Sequence, residues 1–354
     1  MRRISVSVRA CALAGVIAAV IPAAVTAGGK KDAAKQELIV STWGLSEDSL
    51  WSEVYEPFEK EKNVKVILDT GNAQERYTKM SSDPNSTIDI IELAQKDVAN
   101  GVADGAFAPV QPSDIACFDK LLPAAQEVIK SGSGVPYTIN SIGIIYDEQA
   151  AGMKITEWKD LWNPALKGKI AIPAITTTFG PGFMCIAADV YGTPVTADKG
   201  ETAFKALADL KPNVASTYAK ASDVANLMKN GEIAVAVVGD FGVPVISKAC
   251  PSAAYIVPAS GTYANFNVIN ISKKSKNREL AIAYINYRVL PETEVRTASA
   301  VNDTPVNTEA KLDPAISKYM TVGAVAARAK MVDFTYIRPL LSAWIDRYNK
   351  LMNQ

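Results

Sequence analysis

Strand-like and helix-like segments alternate along this chain of 354 residues, and the alternation restricts the folds that it can adopt. Three runs rich in apolar and β-branched residues have strand character: 37–42, 63–68 and 88–92. Segments with the apolar spacing of helices follow them: 49–60, 73–80 and 98–105. This order predicts an α/β fold with a mainly parallel sheet and helices on its faces. Ligands of such sheets bind beyond the carboxyl ends of the strands.

A second alternating set begins at 155–173. There Trp158 and Trp162 fall at i and i+4, on one face of a predicted short helix that ends before Pro164. The remaining elements of this set are predicted helices at 182–191, 202–210 and 222–230, and strands at 170–172 and 233–238. Another predicted strand, 267–271, follows this set. Because a chain of this length exceeds what one hydrophobic core usually holds, we expect two lobes of the same class.

The predicted lobes are discontinuous in sequence, since the chain crosses between them on hinge strands. Lobe 1 is predicted to contain 37–136 and 264–312, and lobe 2 to contain 137–263 and 313–354. Each lobe is expected to hold a mainly parallel sheet flanked by helices. Two hinge strands join them.

The N-terminus has the pattern of a secretory signal. Arg2, Arg3 and Arg9 precede or begin an apolar run that extends over 10–25, and Val25-Thr-Ala27 is a small-residue cleavage site. The alternative, a retained membrane anchor, is disfavoured because the run is shorter than the ~20 apolar residues that span a bilayer. The sequence therefore predicts export.

The position of Cys11 indicates whether the exported protein carries a lipid. Cys11 stands before most of the apolar run, whereas a lipidated cysteine would follow it, so a lipoprotein is only a minor alternative. We predict a cleaved signal peptide at 1–27, a flexible segment at 28–36 and a soluble periplasmic protein.

Composition excludes several other functions. Without the three leader arginines, 34 basic residues face 37 acidic ones, a net charge of −3, which offers nothing to recruit a nucleic acid. Cys117, Cys185 and Cys250 remain, so at most one disulfide forms, and no cysteine spacing indicates a metal site. Cys185 lies in an apolar helical stretch and is predicted to be a buried, inert thiol.

The chain contains no histidine. It therefore lacks the commonest general base, the usual partner of a nucleophilic serine or cysteine, and the commonest metal ligand. No paired-carboxylate motif, Gly-rich phosphate loop or Ser-x-x-Lys motif replaces it. We therefore expect a binding protein without a cofactor and not an enzyme.

Short motifs in a fixed order carry a family resemblance. They are Ser41-Thr-Trp43, Pro57-Phe-Glu-Lys60, Ile88-Asp-Ile-Ile-Glu92, Val135-Pro-Tyr137, Ile142-Gly-Ile-Ile-Tyr146, the segment 155–173, Lys211-Pro-Asn-Val214, Gly231-Glu-Ile233 and Thr304-Pro-Val-Asn307. In this order the chain resembles the spermidine/putrescine-binding family of bacterial solute-binding proteins, which have the type II periplasmic fold. The resemblance implies two lobes that close around a small-molecule solute by hinge bending. It also implies delivery of the solute to an ABC permease and its ATPase.

The resemblance places ligand contacts just beyond strand ends. Trp43 matches an aromatic residue that stacks on an aliphatic or cationic ligand, although a packed core tryptophan is the alternative. Glu92 and Gln95 follow the third strand, and either could anchor an amine. Asp240 and Phe241 follow an apolar strand, where relatives carry a polar and aromatic pair. Capping of the next helix is an equal alternative for Asp240.

At other contact positions the chain departs from polyamine binders. Asn265 and Asn267 align with the tryptophan and the ammonium-binding aspartate of those proteins, so neutral amides replace the anchor. Hydroxyls at Thr176, Thr177 and Thr178 replace acidic residues. Since these threonines precede a predicted helix, they indicate either an anion site at the helix N-terminus or plain N-capping.

The sequence therefore predicts the solute-binding component of an ABC importer. A small organic cation such as putrescine or spermidine is the first choice of ligand, because no Arg or Lys is among the predicted contacts. The alternative ligand is zwitterionic or anionic, an aminophosphonate or ferric ion with an anion. A secreted enzyme and a chemosensory binding protein are the alternative classes.

Overall fold

The structure is a computed structural model, and it describes residues 35–44 and 47–353. The predicted signal peptide and Cys11 lie outside these residues. The strands are β1 (Glu37–Thr42), β2 (Lys65–Thr70), β3 (Ile90–Ala94), β4 (Phe107–Ala108), β5 (Val135–Tyr146), β6 (Ile170–Pro173), β7 (Val214–Tyr218), β8 (Val235–Gly239), β9 (Ala254–Ile256), β10 (Thr262–Ser272) and β11 (Ala329–Met331).

The helices cover both faces of the strands. The α-helices are α1 (Glu47–Leu50), α2 (Glu56–Lys62), α3 (Ala73–Ser82), α4 (Gln95–Ala103), α5 (Pro123–Lys130), α6 (Glu148–Ala151), α7 (Gly180–Val190), α8 (Val195–Asp198), α9 (Glu201–Leu210), α10 (Ala221–Lys229), α11 (Val243–Ala249), α12 (Arg278–Arg288), α13 (Pro291–Val301), α14 (Pro314–Ser317), α15 (Gly323–Arg328), α16 (Phe334–Ile337) and α17 (Leu341–Met352). The 3₁₀ helices are Pro112–Asp114, Phe118–Lys120, Trp158–Trp162, Pro164–Leu166, Lys211–Asn213, Asp240–Gly242 and Arg338–Leu340.

The strands form two parallel sets joined by an antiparallel pair. Along the sheet the order is β2-β1-β3-β10-β5-β8-β6-β7, with β4, β9 and β11 paired at its sides. In the first set β1 is parallel to β2 and β3, and in the second β6 is parallel to β7 and β8. Between them β10 and β5 are antiparallel to each other and to the strands beside them, β3 and β8.

Hydrophobic packing follows the two parallel sets. One buried cluster is built on β1, β2 and β3 with α2 and α12, and it includes Ile139 and Phe266 of the joining strands. Two further clusters surround β6 and β8, and Ile142 and Ile145 of β5 belong to them. β5 therefore leaves one core and enters the other within three residues. The exact lobe boundaries stay predictions.

The pairing of β5 with β10 contains an irregularity beside Tyr137. Asn267 pairs with Thr138, but the next residue, Val268, pairs with Pro136, so Tyr137 has no partner in the ladder. A bulge of this kind bends a strand and turns a side chain toward a new neighbour.

Two predicted helices differ in detail. The segment predicted at 49–60 is helical from Glu47 to Lys62, but Trp51–Tyr55 forms a π-helical turn. In the segment 155–173 the predicted α-helix is a 3₁₀ helix, Trp158–Trp162. The Asp160 carboxylate accepts hydrogen bonds from the Thr156 and Glu157 N–H groups, and Pro164 follows, so only a short helical turn fits between them.

The described cysteines carry free thiols: Cys117, Cys185 and Cys250. Cys185 is buried, as predicted, and burial raises the pKa of its thiol to about 12, which makes it unreactive. Within residues 35–44 and 47–353, every helix is too short or too polar to cross a membrane.

Substitution of Phe58 tests the packing of the first hydrophobic cluster. It is fully buried, and its ring centroid lies 5.2 Å from those of Tyr284 and Tyr287. We expect Phe58→Ala to lower the free energy of unfolding by about 3–5 kcal/mol through the cavity that it leaves. Urea denaturation measures this, and Val245→Ala, at a position that is 51% exposed, is the control with an expected change below about 0.5 kcal/mol. Equal effects of both substitutions would contradict the packing described.

Candidate functional site

A single guanidinium joins the carboxyl ends of the first parallel set. Arg76 of α3 is buried, and its Nε donates to the Gly71 carbonyl at 3.0 Å. Its Nη1 donates to the Ser41 carbonyl at 2.9 Å and to the Glu92 carbonyl at 3.0 Å. Gly71 directly follows β2, Ser41 is the last but one residue of β1 and Glu92 is the middle residue of β3, so Arg76 lies near the carboxyl edge of the set, where α/β sheets bind ligands. Arg76 was missed at the sequence level, because nothing local to α3 shows that its side chain reaches three strands.

Trp43 stands beside this guanidinium. It follows β1, is half-buried, and its ring centroid lies 5.1 Å from Cζ of Arg76. The distance is that of a cation–π contact. The sequence predicts that Trp43 stacks on a ligand. The structure does not test this, because the cation beside the ring is Arg76 of the protein itself.

The Glu92 carboxylate is buried and has protein partners. Oε2 accepts from the Thr42 hydroxyl at 2.7 Å and from the Tyr137 hydroxyl at 3.3 Å, and Oε1 accepts from the Tyr284 hydroxyl at 3.1 Å. Arg288 lies 3.8 Å from Oε1. A buried carboxylate requires such partners. A ligand amine at Glu92, as predicted, would have to compete with all four groups.

Three predicted contacts do lie together. The Gln95 N–H donates to Oδ1 of Asn265 at 3.2 Å, and Oε1 of Gln95 accepts from the Phe266 N–H at 3.0 Å. Nδ2 of Asn265 donates to Oδ1 of Asn267 at 3.3 Å. The end of β3 is thereby tied to the middle of β10. Whether these amides contact a ligand stays a prediction.

Opposite residues of the joining strands extend this group into a polar floor, formed by Thr138, Asn140, Asn265 and Asn267. Asn265 pairs with Asn140 and Asn267 with Thr138, and directly opposed residues of an antiparallel pair share a face. Oγ1 of Thr138 and Nδ2 of Asn140 are buried and without a hydrogen-bond partner among the described residues. Polar residues at alternate positions of an apolar strand were the sequence signal for Thr138 and Asn140.

Asp240, at the end of β8, is also buried and held by the protein. Oδ2 accepts from the Ser141 N–H at 3.2 Å and from the Thr321 hydroxyl at 2.6 Å, and Oδ1 accepts from the Phe241 N–H at 2.8 Å. Burial raises the pKa of Asp240 to about 7 against the effect of these donors. Asp240 therefore ties β8 to β5 and to the segment after α14. Its predicted ligand contact is untested.

Asp303 is a half-buried carboxylate that was not among the predicted contacts. Its neighbours fix it against the polar floor: Nδ2 of Asn302 donates to the Asp240 carbonyl at 3.1 Å, and the Ile139 N–H donates to the Thr304 carbonyl at 2.9 Å. Burial raises the pKa of Asp303 to about 7, although Arg288 and Asn140 lower it. Asp303 belongs to a turn far from β5 in sequence, so no local pattern marks it.

The second parallel set contributes an aromatic wall. The rings of Phe179 and Phe241 stack at 5.9 Å with an interplanar angle of 21°, and Phe241 is 38% exposed. Gly239 makes room for them, since a Cβ there would lie 2.3 Å from the Phe179 ring. Phe241, a predicted contact, thus presents an aromatic face beyond the end of β8.

The threonine run lies beyond β6. Thr176 is exposed and Thr177 and Thr178 are partly exposed, while Phe179 is the residue that precedes α7. No side-chain hydrogen bond caps this helix. The Thr177 hydroxyl instead donates to the Ala174 carbonyl at 2.7 Å. The N-capping alternative is therefore wrong, and the predicted anion contact is untested.

Two hydrogen bonds connect elements of the two parallel sets beyond their strand ends. Nζ of Lys96, at the start of α4, donates to the Thr176 carbonyl at 2.6 Å. Nε of Arg338 donates to Oδ1 of Asn100 at 3.1 Å. The strand ends of both sets thus face each other across the polar floor. No Arg or Lys is among the contacts predicted from the sequence, but the structure places Arg76 beside Trp43 and Lys96 beside Thr176.

The family follows from a match over most of the chain. Residues 53–324 match the model of the family described as bacterial extracellular solute-binding protein. The chain belongs to this family. The solute-binding role predicted from the sequence is thereby confirmed. The proteins of this family are described as extracellular.

Among curated proteins, the chain is similar to bacterial polyamine binders. It is 24% identical over 286 residues to the spermidine/putrescine-binding periplasmic protein of Escherichia coli (strain K12), covering 77% of this chain and 81% of that protein. It is 24% identical over 314 residues to the putrescine-binding periplasmic protein SpuD of Pseudomonas aeruginosa, covering 82% of each. These matches confirm the predicted family resemblance.

Solved structures confirm the predicted fold class. An ABC transporter structure from Clostridium perfringens is 48% identical, with a TM-score of 0.83 over 89% of this chain and 99% of that one. The spermidine/putrescine substrate-binding protein PotD of Streptococcus pneumoniae is 19% identical, with a TM-score of 0.75 over 90% of this chain and 100% of that one. At that identity the second match shows the fold alone.

Glu92 is expected to contribute strongly to stability. Glu92→Gln would remove the carboxylate that lies 3.8 Å from the buried Arg288, and breaking such a pair costs about 3–5 kcal/mol. Urea denaturation of the ligand-free protein measures the loss. Glu127→Gln is the control, because its pair with Lys130 is exposed and worth less than about 1 kcal/mol. If Glu92→Gln were as stable as the control, the buried network would not be as described.

The buried carboxyls also predict how stability depends on pH. Burial raises the pKa of Asp240 and Asp303 to about 7 and of Glu294 to about 8. In the unfolded chain they titrate near about 4, so the folded protein binds more protons above that pH. This stabilisation is complete below about pH 4 and is lost as the pH rises through the folded pKa values. The lowered pKa of Asp147 and Asp160 matters only below about pH 4.

The measurement is the free energy of unfolding of the ligand-free protein from about pH 5 to about pH 8. We expect it to fall as the pH rises, and to fall less steeply in Asp303→Asn, which cannot titrate there. Stability that stayed constant or increased over this range would show that folding does not raise the pKa of these three carboxyls.

Proposed function

We propose that this protein is the periplasmic solute-binding component of an ABC importer, exported by a signal peptide at 1–27, and that it captures a small organic amine such as a polyamine. Similarity to the curated polyamine-binding proteins supports the amine, and similarity to the ABC transporter structure from Clostridium perfringens supports the transport role. The solute occupies the cleft, with the permease and its ATPase as partners. The two lobes bend at β5 and β10 to enclose it.

The observation that carries the amine is the state of Asp303. Its carboxylate is half-buried beside the polar floor and has no ion-pair partner within 4 Å among residues 35–44 and 47–353. Burial raises its pKa to about 7, so ionisation at neutral pH is costly. A ligand ammonium next to Asp303 would offset this cost. Glu92 and Asp240, by contrast, are engaged by protein donors.

Aromatic faces on both sides of the cleft suit the same ligand. Trp43 lies at the end of β1, and Phe241 lies at the end of β8 with a large exposed fraction. Such rings attract an ammonium within ~6 Å and pack against its methylene chain. The polar floor offers Thr138 and Asn140, with unused hydrogen-bonding capacity, to the same solute.

Thermal unfolding with added solutes tests amine capture. Putrescine and spermidine are compared with 1,4-butanediol, which has the chain but no charge. A ligand at a hundred times its Kd stabilises the folded state by about 2.7 kcal/mol, which is readily seen as a rise in Tm. We expect the amines to raise Tm and the diol to leave it unchanged.

Asp303→Asn locates the site. It should weaken amine binding by about tenfold or more, because a charge-assisted hydrogen bond is lost. Asp119→Asn, which removes an exposed carboxylate from the 3₁₀ helix Phe118–Lys120, should bind as the wild type does. Equal shifts with amines and diol, or full amine binding by Asp303→Asn, would contradict the proposal.

A further inference from the structure

The guanidinium of Arg76 has unused hydrogen-bonding capacity. An arginine side chain has five N–H donors. Nε and Nη1 are used on the carbonyls of Gly71, Ser41 and Glu92. Nη2 has no hydrogen-bond partner among the described residues. Water cannot replace that partner freely, because Arg76 is only 2% exposed. An unpaired donor on a buried cation is costly, and native proteins rarely retain one without a use.

The position of this donor is that of a ligand contact. The carbonyls that hold Arg76 come from the carboxyl-terminal part of β1, from the middle of β3 and from the residue after β2, and the guanidinium lies 5.1 Å from the Trp43 ring, which follows β1. Nε and Nη1 need no ligand as a partner, because both donate to backbone carbonyls of the protein. Nη2 is the nitrogen of this side chain that remains available to a ligand.

The charge at this position is incompletely balanced. Burial lowers the pKa of Arg76, and the carboxylates of Glu92, Asp69 and Asp97 only partly restore it. Each carboxylate is engaged elsewhere: Asp69 accepts from the Ser41 hydroxyl at 2.8 Å, and Asp97 lies 3.8 Å from Lys96. A further negative group at Nη2 would therefore be favourable.

From these contacts we infer that the captured amine also carries an acidic group, a carboxylate or a phosphonate, and that this group binds Nη2 of Arg76. The inference rests on the proposed function and makes its solute a zwitterion, with the ammonium at Asp303 and the acid at Arg76. An oxyanion can accept both free N–H groups of Nη2, in a charge-assisted hydrogen bond.

Lys96 provides a second cation at the same side of the cleft. Its Nζ binds the Thr176 carbonyl of the opposite strand set in this conformation. Nη2 of Arg76 is buried in this conformation, so the acidic group of the solute would enter beside Trp43 while the sets are apart. Lys96 then closes over the solute, and its charge adds to that of Arg76.

Isothermal titration of the protein with matched pairs of ligands tests the inference. Aminocarboxylates with an amine and a carboxylate at opposite ends of three to six carbons are compared with diamines of equal length. Aminophosphonates form a third series and distinguish the two acids. We expect the best acidic member to bind at least about tenfold more tightly than its diamine, the effect of one charge-assisted hydrogen bond.

Variants of Arg76 and Lys96 test which residue binds the acidic group. Arg76→Gln should abolish the preference for the acidic series, measured as the ratio of the two Kd values, and Lys96→Met should reduce it. Arg347→Gln, which removes an exposed arginine on α17, is the control and should keep it. Since Arg76 also joins three strand ends, its variant is checked by circular dichroism. If Arg76→Gln does not fold, the matched pairs and Lys96→Met decide.

The outcomes separate the two proposals. If diamines bind as tightly as the acidic ligands, or if Arg76→Gln keeps the preference, amine capture stands and the acidic subsite is wrong. If neither series binds, amine capture itself fails, and the acidic subsite fails with it.

Discussion

The antiparallel pairing of β5 with β10 is the interaction on which the rest of the structure depends. Both parallel sets attach to it, so it decides which strand ends face each other. One face of the pair enters the hydrophobic cores through residues such as Ile139 and Phe266, and the other forms the polar floor. Because side chains alternate along a strand, a register shift of one residue would exchange these faces and remove both the cores and the cleft.

The second constraint is the cost of burying charge at the strand ends. The protein meets it in different ways: Glu92 is surrounded by hydroxyls and Arg288, and Asp240 by backbone and threonine donors. At the cleft, Asp303 has no ion pair and Nη2 of Arg76 has no hydrogen-bond partner among the described residues, while deeper in the first core Nε and Nη1 of Arg288 are also unpaired beside Glu92. A cleft that retains one of each sign is suited to a solute that has both, and closure would desolvate all four charges together.

Much of the fold could be predicted from local sequence, and much of the site could not. β1 has its predicted bounds, 37–42, because a β-branched run ends at a tryptophan and a glycine. Gln95, Asn265 and Asn267 were predicted as contacts and lie together, because Gln95 directly follows β3 and β3 pairs with β10, which carries both asparagines. Arg76 and Asp303 were missed because their neighbours are distant in sequence, and burial is a property of the packed fold. The π-helical turn within the helix that follows β1 has no simple sequence signal either.

The polar floor has a consequence for how such a protein changes over time. None of its four residues belongs to a hydrophobic cluster, and two of them have no partner to lose among the described residues. Replacing Thr138 or Asn140 removes none of the hydrogen bonds described above, whereas replacing Asn265 removes its bonds to the Gln95 N–H and to Asn267. In proteins of this architecture we therefore expect positions 138 and 140 to accept new side chains more readily than position 265, while the hydrophobic clusters around the joining strands remain as they were.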